Sequence, residues 1–177
     1  MEVTYNLEAV DFLHYQLFTA SKSNRIRNKK MYGWLLFTLA AGIFAIYCYF
    51  NNSTSLAIYF GVIAAVWGLF YPKYFNWKYV KHYTSFINEN YKNRFGQSTT
   101  VVISKENIIA TDNSGEGKIK VSEIVTINET NQHLFITFKS GAFLIIPKRE
   151  IDNFNELKNS LIKIGCIINN ELSWSWN

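Results

Sequence analysis

Few residues in this 177-residue sequence have types and spacings that could do chemistry. The three histidines, His14, His82 and His133, lie far apart, and none has a Cys or a second His at metal-ligand spacing. Cys48 lies inside a long apolar run and Cys166 near the end of the chain, so a disulfide between them is implausible. We therefore expect no metal ion and no cofactor.

One short motif resembles a phosphate-binding loop but fails on spacing. Gly115 and Gly117 lack the four-residue gap of such a loop, and no Ser or Thr follows Lys118. A hairpin turn explains these glycines better. The Gly-x-Ser-x-Gly and His-Glu-x-x-His patterns are missing, and the acids of the C-terminal half are spread singly. We expect no catalytic residues and a non-enzymatic protein; an enzyme whose active site no motif reveals stays open as an alternative.

Two groups of bases are the candidate binding residues. Lys148 and Arg149 follow Pro147, which ends an apolar run. They form either a solvated corner or a contact for an anionic lipid headgroup or an acidic segment of a partner. The same ambiguity applies to the basic collar, which consists of Lys22, Arg25, Arg27, Lys29 and Lys30.

The charged residues show where the membrane segments lie. Residues 12–88 contain eight bases and no acid, whereas residues 89–177 contain ten of each. Within the basic part, residues 31–50 are uncharged, and as a helix they span about 30 Å, the thickness of a bilayer core. A second uncharged run, residues 56–71, reaches a spanning length with its polar and aromatic flanks. These runs predict a two-helix transmembrane hairpin over residues 31–71.

The flanking bases predict the orientation of this hairpin. The collar precedes the first helix, Lys73, Lys78 and Lys81 follow the second, and the connecting turn has no base. Cytoplasmic flanks are enriched in Lys and Arg. We therefore expect a multi-pass protein of the inner (cytoplasmic) membrane with both termini in the cytoplasm and no cleavable signal peptide.

A buried helical pair in a soluble protein is the alternative, but the remaining residues are too few to wrap both helices. The two runs contain no ionisable group except tyrosines and one cysteine, which disfavours autonomous transport. Small residues at spacings of three and four predict a close helix contact. They are Thr38, Gly42 and Ala45 on the first helix and Ala57, Gly61, Ala64 and Gly68 on the second.

The rest of the chain predicts a helical stem and a soluble domain. Residues 72–96 keep helical spacing, with Gly96 as a stop. From residue 97 the hydrophobic period changes to two, and Asn153 with Glu156 forms a helix-capping box before an apolar stripe that Gly165 closes. The six predicted strands, read as an antiparallel meander, are 99–104, 107–111, 118–121, 123–128, 134–139 and 142–146.

These elements outline an α+β soluble domain over residues 97–166, an antiparallel pleckstrin-homology-like roll with a C-terminal helix. Residues 1–30 predict a cytoplasmic strand, a helix and the basic collar, with 3–6 as a missing edge strand of the roll. Residues 167–177, with Trp174 and Trp176, form an unassigned tail.

The order of these segments resembles the YcxB-like family of small bacterial membrane proteins. The similarity covers nearly the whole chain, and its sharpest piece is Ile146-Pro147-Lys148-Arg149 after a Gly-containing hairpin. The resemblance implies a cytoplasmic pleckstrin-homology-like domain on a membrane hairpin and supplies no established reaction.

Three functional hypotheses follow. In the first, the hairpin tethers the domain to the cytoplasmic leaflet, where it binds another protein or its own copies. In the second, the domain senses anionic lipid or a small ligand through Lys148, Arg149 and the collar. The third is a membrane-acting enzyme. Nucleic acid is not an expected partner, because the soluble domain is charge-balanced and the excess of bases lies beside the membrane.

Overall fold

The computed structural model describes residues 1–113 and 115–176. They divide into two compact units. The sheet domain combines residues 1–15 with 84–175, and the helical unit contains residues 16–83 and Trp176.

Three helices make up the first half of the chain: α1 (Ala9–Lys22), α2 (Asn24–Phe50) and α3 (Thr54–Asn90). Both long helices extend past the predicted apolar runs. The Ser23 hydroxyl caps α2 by accepting a hydrogen bond from the Ile26 N–H (3.5 Å), so this helix begins inside the basic collar. The predicted stem is continuous with the second helix through Pro72. It ends before the predicted stop, and Gly96 (φ +69°) instead lies beyond a 3-10 turn.

Contacts between α2 and α3 run in opposite directions along the chain. Near the start of α2, the Trp34 indole N–H donates to the Gly68 carbonyl at 2.8 Å. Toward the end of α2, the rings of Phe44 and Phe60 meet edge to face at 4.7 Å. The two helices therefore lie antiparallel within the helical unit.

Only part of the predicted small-residue face forms this contact. A Cβ on Gly68 would lie 3.6 Å from the Thr38 methyl group, as expected for a close approach. The tightest approach is at Gly33, where a Cβ would overlap the Tyr71 hydroxyl. The Tyr71 side chain of α3 therefore packs directly against the α2 backbone at Gly33. Open space surrounds the other two predicted glycines, Gly42 and Gly61, within the described residues.

The first sheet of the sheet domain is antiparallel throughout, in the order β1-β2-β3-β4. The predicted edge strand is confirmed, because β1 pairs with β2 in the register Tyr5 to Thr99. Val101 and Ile103 of β2 face the core in strict alternation. The strands are β1 (Glu2–Asn6), β2 (Ser98–Ile103), β3 (Asn107–Asp112) and β4 (Gly115–Lys120).

The second sheet has the order β7-β6-β5-β8. The expected single meander is wrong, because β4 does not pair with β5 and a second sheet begins there. The tail also contributes a strand that the sequence pattern missed, β8, which runs parallel to β5. The strands are β5 (Ile124–Glu129), β6 (His133–Phe138), β7 (Phe143–Pro147) and β8 (Ile168–Asn170).

Strand β6 is buried on both faces, although a hydrophobic period of two is typical of a strand with one exposed face. Phe135 is fully buried because the Tyr15 ring of α1 packs on it edge to face at 5.4 Å. Tyr15 also stacks on Phe143 of β7 at 4.1 Å. The first turns of α1 therefore cover the outer face of the second sheet.

Helix α4 (Phe154–Lys163) packs its apolar stripe into the core. The capping box is confirmed: the Asn153 side-chain oxygen accepts from the Glu156 N–H at 3.3 Å. Leu157 and Leu161 are fully buried. Gly165 (φ +90°) ends the helix in the left-handed conformation that favours glycine.

Candidate functional site

The most distinctive polar feature of the sheet domain is a buried carboxylate, Asp11. It lies in the first turn of α1, where it accepts from the Glu8 N–H at 2.8 Å, the reciprocal arrangement of a capping box. Arg149 donates to both carboxylate oxygens, at 2.6 and 2.8 Å, and the His133 Nε2 lies 2.8 Å from Oδ1. We call these three side chains the Asp11 network.

Three separate chain segments place the Asp11 network. His133 begins β6, and Thr130 fixes the preceding turn by accepting from the His133 N–H at 3.0 Å. Arg149 lies in a 3-10 turn after β7, and the Lys148 N–H anchors that turn by donating to the Gln132 carbonyl at 2.9 Å. The network therefore joins α1 to the loops at one end of the second sheet.

The electrostatics of the network keep Asp11 ionised. Burial alone raises the pKa of the Asp11 carboxyl, but the hydrogen bonds from Arg149, His133 and the Glu8 N–H outweigh it and hold that pKa well below its usual range. The same contact with Asp11 raises the pKa of the Arg149 guanidinium. A carboxylate offers about four acceptor positions, and all four are used here. Asp11 is thus a structural anchor rather than a base available to a substrate.

A small open cavity of about 310 Å³ adjoins the Asp11 network. His14 lines it, with its ring edge to face on His133 at 5.2 Å. Burial, together with the nearby His133, lowers the pKa of His14 below its ordinary value. Among residues 1–113 and 115–176, no group of three or more His, Cys, Asp or Glu side chains is arranged to hold a metal ion.

A second buried carboxylate, Glu129 at the end of β5, binds two lysines. Lys148 and Lys158 each donate to one of its oxygens at 2.7 Å. Burial raises the pKa of the Glu129 carboxyl, but these hydrogen bonds and charges lower it by more, so the net shift is downward. The Lys148 ammonium also lies 4.5 Å from the centre of the Phe154 ring.

The structure places both predicted corner residues against acids of their own domain. Lys148 is paired with Glu129, with only 19% of its side chain exposed, and Arg149 is paired with Asp11. The solvated-corner interpretation is therefore wrong for Lys148, whereas Arg149 is ion-paired but keeps 39% of its side chain exposed. The lipid or partner contact through these two residues stays a prediction, although their charges are already compensated within the domain.

The basic collar is split among different environments in the helical unit. The Lys22 ammonium lies 5.3 Å from the Phe18 ring centre, and Lys30 donates to the Asn76 side chain at 3.0 Å. Arg27 donates to Asn24 of its own helix at 2.8 Å. The remaining two collar residues, Arg25 and Lys29, line an open groove between α2 and α3.

A large concave surface of the sheet domain lies between the edges of the two sheets. We call it the seam groove; its volume is about 920 Å³. Val125 and Ile167 expose apolar side chains here, 57% and 82% accessible. Its rim carries three lysines and a single acid, namely Lys105, Lys118, Lys120 and Glu106.

Sequence reasoning missed Asp11, His133 and Glu129. Asp11 stands out in the sequence only as an acid at a helix start, where a cap explains it. Its partners lie 122 and 138 residues away, so no local spacing indicates the network.

One segment of the chain matches a known protein family, and it contains most of the residues of the two buried ion-pair clusters. Residues 103–159 match the family model described as YcxB-like protein. This confirms the resemblance drawn from the sequence over a segment that is less than half of the chain. The YcxB-like segment includes His133, Glu129, Lys148 and Arg149, whereas Asp11 lies outside it. No curated protein and no solved structure matches the chain.

Proposed function

We propose that this chain is a non-enzymatic bacterial inner-membrane protein in which two spanning helices tether a cytoplasmic pleckstrin-homology-like interaction module. The module binds another protein or a second copy of itself. The observation that carries the proposal is the exposed apolar surface of α2 and α3. Both helices are long and apolar enough to cross a membrane: an 18-residue stretch has a mean hydropathy of 1.8 in α2 and 1.7 in α3.

Burial distinguishes these helices from the core helices of a soluble protein. Only 11% of this 18-residue stretch is buried inside the protein in α2, and none of it is buried in α3. Side chains such as Leu36 and Leu69 are 67% and 71% exposed. Leaving so much apolar surface in water is unfavourable at roughly 25 cal/mol per Å², and lipid removes that cost.

The composition of the sheet domain supports two crossings rather than one. Residues 1–15 precede the long helices and residues 84–175 follow them, yet both segments belong to one folded unit. They share the β1–β2 pairing and the contact of Asp11 with Arg149. A single folded domain lies on one side of a bilayer, so the chain crosses an even number of times. The flanking bases favour the cytoplasmic side.

Two features support an interaction module. Two mostly antiparallel sheets followed by an amphipathic helix are consistent with a pleckstrin-homology-like roll. The seam groove combines exposed Val125 and Ile167 with a rim of lysines, which suits an acidic protein segment carrying apolar side chains. The saturated Asp11 carboxylate supports a structural rather than a catalytic role for His133 and the neighbouring His14.

Topology is tested with a reporter that is active only outside the cytoplasm. We expect no activity when it is fused after residue 177 and strong activity when it is inserted at the turn containing Asn52. Activity at the C-terminus would refute the tether.

The partner surface is tested in cells with a photo-crosslinking residue at Val125. The matched control is Ile162, which is similarly exposed (50% against 57%) but does not line the seam groove. We expect a discrete adduct at Val125 that is lost when Lys118 and Lys120 are changed to Glu. Equal adducts at both positions would refute the seam groove as the binding surface.

A further inference from the structure

The structure points to a binding site in the helical unit, beside the predicted membrane boundary. Here α2 and α3 enclose an open groove of about 540 Å³, which we call the juxtamembrane groove. Arg25 and Lys29 line it from α2, and Lys78 and His82 line it from α3, with Ile26 and Tyr79 among the walls. We propose that this groove binds the phosphate of an anionic membrane phospholipid. The inference rests on the proposed membrane insertion of α2 and α3.

Within the described residues of the helical unit, no acid compensates the charge of the groove. Residues 12–88 contain no acid, so Arg25, Lys29 and Lys78 have no carboxylate to pair with there. None of the three forms an ion pair in the part of the chain that the structure describes. Three converging cations are mutually repulsive, and a bound anion relieves that repulsion. In the sheet domain, by contrast, Lys148 and Arg149 already form ion pairs with acids of the same domain.

The depth of the groove matches a lipid headgroup. At about 1.5 Å per residue, Lys29 lies about 3 Å and Arg25 about 9 Å before the apolar run that begins at Met31. Lys78 lies about 10 Å beyond Tyr71, where the second apolar run ends. The headgroup region of a bilayer extends about 5–8 Å from the hydrocarbon core, so these cations bracket the level of lipid phosphates.

The surroundings favour a lipid over a soluble anion. The apolar Ile26 side chain and the Tyr79 ring give the groove a mixed lining that suits the glycerol and first acyl carbons of a lipid. The exposed apolar surfaces of α2 and α3 continue from the groove toward the membrane centre and would contact its acyl chains. Arg25 offers a planar donor pair for phosphate oxygens, and the two lysines add positive charge.

The test compares two double variants of the full-length protein in detergent by native mass spectrometry, with phosphatidylglycerol as the probe and phosphatidylcholine as the neutral lipid. Arg25→Gln with Lys78→Gln removes two groove cations. Arg27→Gln with Lys81→Gln removes the same charge from residues of the same two helices that do not line the groove. We expect the groove variant to lose phosphatidylglycerol affinity about 30-fold and the control less than about 3-fold. Neutral lipid should bind both variants and the wild type equally weakly.

Equal losses in the two variants would overturn the site and leave a diffuse effect of net charge. Displacement of phosphatidylglycerol by millimolar inorganic phosphate would overturn the assignment to a lipid and indicate a soluble anion. Arg25→Lys in an otherwise wild-type protein should retain most of the phosphatidylglycerol affinity, because this substitution keeps the positive charge. The topology reporter, read in the same variants, separates failure of this site from failure of membrane insertion.

Discussion

Replacing Arg149 with Gln is expected to destabilise the sheet domain by about 3–5 kcal/mol, the usual cost of removing one partner of a buried ion pair. The change removes two charge-assisted hydrogen bonds of 2.6 and 2.8 Å and leaves the fully buried Asp11 carboxylate without its cation. Asp11→Asn should cost less, about 2–3 kcal/mol, because the Arg149 side chain is 39% exposed and can be solvated again. The buried partner therefore decides which single variant is worse.

The loss should also depend on pH in a defined direction. The folded pKa of Asp11 lies below its unfolded value because hydrogen bonds from Arg149 and His133 outweigh burial. Its stabilisation is therefore fully present above about pH 4, the ordinary pKa of Asp, and is lost as the pH falls toward the folded pKa. Arg149→Gln removes the largest of the contributions that lower this pKa, so wild type and variant should differ most near pH 7 and converge in acid.

The assay is hydrogen exchange of the β6 and β7 amides in the full-length protein in detergent, with rates divided by the intrinsic rate at each pH. A cost of 3–5 kcal/mol corresponds to exchange faster by a factor on the order of 10² to 10⁴. Lys139→Gln is the control, because Lys139 is 59% exposed and its 3.6 Å pair with Glu123 should contribute about 0–1 kcal/mol. If Arg149→Gln exchanges no faster than Lys139→Gln at pH 7, the network contributes nothing to stability and the reasoning fails.

Two further outcomes follow from the packing. Gly33→Ala should weaken the pairing of α2 and α3, because its Cβ would overlap the Tyr71 hydroxyl, whereas Gly42→Ala should be neutral, since nothing lies within 4 Å of a Cβ there. The yield of intramolecular cysteine crosslinking between the two helices measures both effects, and equal yields in the two variants would contradict the contact. A soluble chain that joins residues 1–15 to 84–175 through a flexible linker should unfold at a higher denaturant concentration than residues 97–177 alone, because it contains β1 and Asp11. If the two unfolding transitions measured by circular dichroism coincide, β1 and Asp11 do not stabilise the domain.

Local patterns predicted most of the secondary structure of this chain. Alternating and helical periods gave the strands and α4, and the Asn153 capping box appears as predicted. Uncharged runs long enough to cross a bilayer gave α2 and α3. Such features depend on residues a few positions apart, where sequence spacing fixes geometry directly. The parallel strand β8 was not predicted, because a strand of three residues is too short to show a hydrophobic period.

The polar interior was decided by tertiary structure alone. Lys148 and Arg149 are adjacent in sequence and looked like a single basic corner, yet they bind different buried acids, Glu129 and Asp11. Whether Lys148 and Arg149 are solvated or paired depends on acids that lie 19 and 138 residues away in the sequence, and only the folded chain brings those segments together. The sequence determined that the middle of the chain carries bases without acids, whereas the fold determined which bases remain uncompensated. A charge is a local property of the sequence, but its neutralisation depends on distance, which is a property of the fold.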